Sequence, residues 1–129
     1  MSSDNYGSPF DDLLAQKLRT LNDFIQELNE SILERQELST QLREWIAEQY
    51  DATKEKLLHL DAWHFPNNPV IEQRRNTIER TLDTLVAQER DEQVSCWRDT
   101  ELLSKELRQW QKQHEDLVQR VALLQANLG

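Results

Sequence analysis

Leu14, Leu18, Leu21, Ile25, Leu28 and Ile32 recur along this chain at alternating steps of four and three residues. Such a spacing draws one apolar line along a helix, and kept up over many turns it is the pattern of helices that pack side by side. The same frame continues through Leu42 and Ile46 to Leu60. In the second half the line reads Ile71, Ile78, Leu82 and Leu85, then Leu103, Leu107, Trp110, His114, Leu117, Val121, Leu124 and Leu128. Between Leu85 and Leu103 the frame must shift by four residues, a stutter that locally unwinds a supercoil.

Helix breakers punctuate this pattern at few places. Gly7 and Pro9 precede it, Pro66 and Pro69 interrupt it near the midpoint, and Gly129 follows it, so residues 10–65 and 70–128 contain neither glycine nor proline. Two helices of more than fifty residues are therefore predicted, each on the order of 80 Å long at ~1.5 Å rise per residue. Ser8 before Pro9 reads as an N-cap and first helical residue, with Asp11 and Asp12 suiting the positive end of the helix dipole. Asn68 and Pro69 repeat that arrangement, with Glu72 in the first turn. The expected organisation is a flexible lead-in over 1–8 and one helical-hairpin domain over 9–129, made of a helix 9–64, a turn 65–68 and a helix 69–128.

Helices this long do not persist alone in water, and a turn of a few residues between two of nearly equal length lets them supply each other with a partner. The predicted fold is all-α, an antiparallel two-helix coiled-coil hairpin. Turning near Asn67 sets Leu18 beside His114, Ile25 beside Leu107 and Leu28 beside Leu103. It also brings the polar seam positions Arg35 and Ser39 to the height of Glu89, Glu92 and Gln93. An Arg35–Glu92 pair would fix the register at some cost in stability, because a buried ion pair seldom recovers its desolvation.

The first helix is apolar over more than this seam. Phe24, Leu38, Trp45 and Ala52 share a flanking position, and Trp97 flanks the second seam. A two-helix contact has no use for that width, whereas a three- or four-helix assembly does, reached if the chain bends and packs on itself or if two hairpins form a four-helix bundle. Two hairpins are thus expected to associate as a homodimer; the plainer reading is that these aromatics cover their own seam. Away from the seam runs an acidic ridge of Asp23, Glu27, Glu30, Glu34, Glu37, Glu44, Glu48, Asp51 and Glu55. It would suit a basic partner or imitate nucleic-acid phosphates, but a solvated outer face explains it more simply. Arg98, Lys105, Arg108 and Lys112 are interleaved with Glu101 and Glu106, which makes a mixed surface.

Composition narrows the function classes. The 129 residues carry a net charge of −9, so nucleic acid and anionic membranes are repelled and no direct nucleic-acid partner is expected. No run approaches the ~18–20 apolar residues of a membrane span, and the N-terminus lacks a signal-peptide pattern. Together with the lone Cys96, this points to a soluble, reducing, cytoplasmic setting. His59, Asp61 and His64 have the wrong spacing for metal ligands on one helical face, and Cys96 has no base near it in sequence. No glycine-rich phosphate loop exists. No enzyme activity, cofactor or metal is expected. What remains is a non-enzymatic structural or adaptor protein working through helix–helix contact. The alternatives are a small acidic export or assembly chaperone that caps an amphipathic client helix, and an acidic inhibitor of a basic nucleic-acid-binding protein.

Overall fold

The computed structural model describes residues 9–63 and 67–128, with the side chain of Leu128 excepted. The lead-in over 1–8, the Ser8 cap, His64 and part of the predicted turn lie outside the described residues. Two helices make up the fold: α1, Pro9–Ala62, and α2, Pro69–Leu128. They pack against each other as an all-α helical hairpin, with no strand among the described residues. Trp63 is in a turn, its amide donating to the Leu60 carbonyl, so α1 stops at Ala62, two residues short of the expected boundary.

The reversal follows from a few residues. Asn67 takes φ 67°, the left-handed region that asparagine tolerates better than most residues with a Cβ. Asn68 then caps α2: its Oδ1 accepts from the amides of Val70 at 3.0 Å and Ile71 at 3.3 Å. Its carbonyl takes the first helical bond from Glu72 at 3.0 Å. Pro69 fills the first helical position, where a missing N–H costs nothing.

Contacts group the chain into two units. Of the described residues, one joins those up to Glu34 with those from Thr100 onward; the other falls within Arg35–Asp99. In the first, Leu14, Leu18, Leu21, Ile25, Leu28 and Ile32 are buried or half-buried, as are Leu103, Leu107, Trp110, His114, Leu117 and Val121. This is the heptad line read from the sequence, except that Leu124 is exposed. Phe24 leans on Trp110, ring centroids 5.0 Å apart and tilted by 55°.

The second unit departs from the expected frame. Its α1 seam is Arg35, Ser39, Arg43, Ile46, Tyr50, Thr53, Leu57 and Leu60, facing Ile71, Arg75, Ile78, Leu82, Leu85, Glu89, Glu92 and Cys96. From Arg35 to Ser39 to Arg43 the step is four twice running, so α1 has a stutter of its own. Each step of four turns the buried line by about 40°, and without a compensating step of three that drift accumulates. Leu42 consequently sits outside the seam at 41% exposure, whereas Ile46 is buried at 7%. Arg43 takes the inner place, its Nε buried with no hydrogen-bond partner among the described residues. Near the turn Asp61 accepts a hydrogen bond from Arg75, and the ion pair ties the two helices together.

Among the described residues the buried apolar ones are few: Leu21, Ile46, Ile78 and Leu85. A seam between two helices covers only one face of each, and most seam side chains keep an edge in water, which sets this limit. Ile46→Ala should lower unfolding free energy in urea by about 2–5 kcal/mol, and Leu42→Ala by no more than about 0.5–1 kcal/mol. Equal losses at the two sites would return Leu42 to the core and remove the stutter.

Candidate functional site

The deepest polar feature of the second unit is a node around Arg35. Ser39, one turn on, is the most buried residue described, at 1% exposure. Its small side chain lets the helices approach closely where the guanidinium needs a bridge across the seam. Arg35 Nη2 donates to Glu92 Oε1 at 2.6 Å, and Nε donates to Asp99 Oδ2 at 2.9 Å. Ser95 Oγ lies at the outer limit of a contact with Nη2, 3.5 Å. The Arg35 carbonyl in turn faces Cys96 Sγ at 3.9 Å.

Arg35 and Glu92 are largely removed from water, with side-chain exposures of 17% and 12%, whereas Asp99 is 47% exposed. Asp99 and then Glu92 hold the guanidinium above its ordinary pKa through their hydrogen bonds, against the opposing effect of burial. A raised base contributes stability that is fully present below its ordinary value and lost only at still higher pH. This contribution is therefore flat through the neutral range. One cost stays inside the node: Nη1 is buried without a partner among the described residues. Of the other polar seam positions expected at this height, Glu89 is half-buried and Gln93 is exposed.

The remaining candidates are distributed over the surface. Each residue of the acidic ridge, from Asp23, Glu27, Glu30, Glu34 and Glu37 to Glu44, Glu48, Asp51 and Glu55, is exposed. So are Arg98, Lys105, Arg108 and Lys112. Asp61 is engaged by Arg75, and His59 Nε2 lies 3.7 Å from Glu55 on the same helix. Among the described residues no three His, Cys, Asp or Glu side chains converge. No helix there is long and apolar enough to cross a membrane.

The five residues expected to form one interface divide into three groups. Phe24 packs on Trp110 within the first unit and is itself 38% exposed. Leu38 and Trp45 are exposed at 49% and 53%, and Ala52 is exposed beyond them. Leu42, displaced by the stutter, fills the step between Leu38 and Trp45, so that three large apolar side chains follow one another at four and three residues. Trp97 leaves from the other flank. It follows Val86 by about three helical turns and shares its face; Val86 borders a cavity with Ala47, Tyr50 and Asp51. Trp45, two residues before Ala47, points about 160° away from that side of α1.

No relative supplies a shortcut to function. Compared with known proteins, the chain matches no family model, no curated sequence and no solved structure.

The node offers a direct test. Glu92→Ala should destabilise by about 1–3 kcal/mol, since it leaves a half-buried guanidinium short of its inner partner. Asp99→Ala should cost less, about 0.5–1 kcal/mol, because water and salt ions replace a half-exposed carboxylate. The Arg35→Met, Glu92→Leu double variant should regain most of the loss. Equal and negligible losses for both single variants in urea titrations would deprive the node of energetic weight.

Proposed function

We propose that this protein is a non-enzymatic adaptor that acts through helix–helix contact and associates with itself as a homodimer, in an intracellular setting. The observation that supports this reading most is the stripe Leu38, Leu42 and Trp45 on α1, exposed although large and apolar. Scattered apolar residues are ordinary on a surface. Three in a row at helical spacing form a continuous strip, the kind of patch that monomeric proteins keep small. A helix laid along the strip would bury it, with Trp45 as the anchor, since tryptophan is the side chain that most often dominates such contacts.

The excess apolar width of α1 suits a second copy, and net charge opposes that contact least at this strip. The chain carries −9 overall, and two copies repel wherever their acidic ridges meet. The Leu38–Leu42–Trp45 strip carries no charge of its own, so copies meeting there avoid the juxtaposition that would cost most. With helices contributed by two hairpins, the contact takes the form of a four-helix bundle.

In sedimentation equilibrium the intact chain should weigh twice the monomer, and Trp45→Ala should shift it toward the monomer by roughly tenfold or more in dissociation constant. A parent protein that stays monomeric, or a dimer untouched by Trp45→Ala, would dismiss self-association through this strip.

A further inference from the structure

An adaptor needs a site apart from the one by which it self-associates, and the second unit has such a place beside the turn. Leu60, Trp63, Ile71 and Ile78 form the apolar floor of an open groove of about 290 Å³, rimmed by Lys56 and Arg74. The exposed strip of α1 continues toward it at the same spacing: after Trp45 come Gln49, Ala52 and Lys56, then His59 and Trp63, all exposed. Its chemistry changes on the way, from apolar through neutral to basic. None of these positions is acidic, in a chain with 24 Asp and Glu against 15 Lys and Arg.

The permanent charges lining the groove are both positive, and no carboxylate lines it. Asp61 is engaged by Arg75, and Glu55 stands at the edge of the groove, 3.7 Å from the lining His59. Lys56 and Arg74 form no ion pair among the described residues. The groove is therefore an apolar slot lined by two cations on a molecule that is negative overall, and this restricts what fits. A basic segment is refused by the rim. Two helices with a furrow between them have the shape that receives the side-chain ridge of a third helix.

We infer that this groove docks an acidic amphipathic helix of a partner protein, its apolar face on Leu60, Trp63, Ile71 and Ile78 and its carboxylates beside Lys56 and Arg74. The site is separate from the Leu38–Leu42–Trp45 strip, and binding there does not depend on whether the chain dimerises.

Two designed helical peptides with the same leucine face test this, one with glutamate and one with lysine at the flanking positions. In fluorescence anisotropy with the full chain, the glutamate peptide should bind at least roughly tenfold more tightly than the lysine peptide, with affinity falling as salt is raised. The Lys56→Glu, Arg74→Glu double variant should lose about that factor while its sedimentation mass stays that of the parent. Failure of the glutamate peptide to bind, equal binding of both peptides, or binding unchanged by the double variant would each overturn the proposal. So would a loss of dimer mass in the double variant, which would assign the groove to a second copy. Vesicles of phosphatidylserine that bind where the glutamate peptide does not would assign it to a lipid surface. The peptide comparison uses the unaltered protein, so a folding defect in the variant leaves it standing.

Discussion

A helix pair has only one shared face, and that constraint governs this protein. Each helix presents about two or three of every seven residues to its partner, and the remainder stay in water whatever their chemistry. The consequence is visible in how few apolar side chains are fully buried against how many large ones are exposed. Stability then depends on a thin line of contacts, so each local choice along it matters. The Asn68 cap, the Arg75–Asp61 bridge and the Arg35 node hold positions that a wider core would hold by packing alone.

The node shows how such a seam tolerates polarity. An arginine inside an apolar layer would be costly, but Ser39 and Cys96 keep the neighbouring positions small while Glu92 and Asp99 supply the opposite charge. The arrangement gives up some stability relative to well-packed leucines and offers directionality in return. Apolar ridges can slide by a heptad and still find apolar partners. A guanidinium held by two carboxylates on different turns has few equivalent positions to move to.

Much of this was legible in the residues themselves. Heptad spacing is strong evidence when kept up for many turns, and in the first unit Leu14 to Ile32 and Leu103 to Val121 lie where the pattern puts them. The turn was legible because asparagine and proline have few other uses between two helical stretches. Arg35 and Glu92 could be matched because a hairpin makes height along one helix a function of height along the other. The second stutter was hidden by chemistry. Leu42 looks like a core residue and Arg43 like a surface one, and residue type alone chooses the leucine. Helical phase chose otherwise, because the step through Arg35 and Ser39 had already turned the seam. The two flanks could not be told apart for a related reason: Trp45 and Trp97 are both beside a seam, but which side each takes depends on how antiparallel faces meet, and Val86 shows this only once the helices are packed. The groove at the turn was invisible because Lys56 and Arg74 belong to different helices and become neighbours through the reversal at Asn67.

The outward position of Leu42 has a wider meaning. Its place between Leu38 and Trp45 turns two separate greasy spots into one uninterrupted stripe, and it is there because the helix is slightly out of step with its partner, not because the chain is richer in leucine at that point. The continuity of this face is thus a by-product of winding. Evolution would be able to hide or reveal the stripe by inserting or deleting a residue upstream, with the composition of the surface almost unaltered.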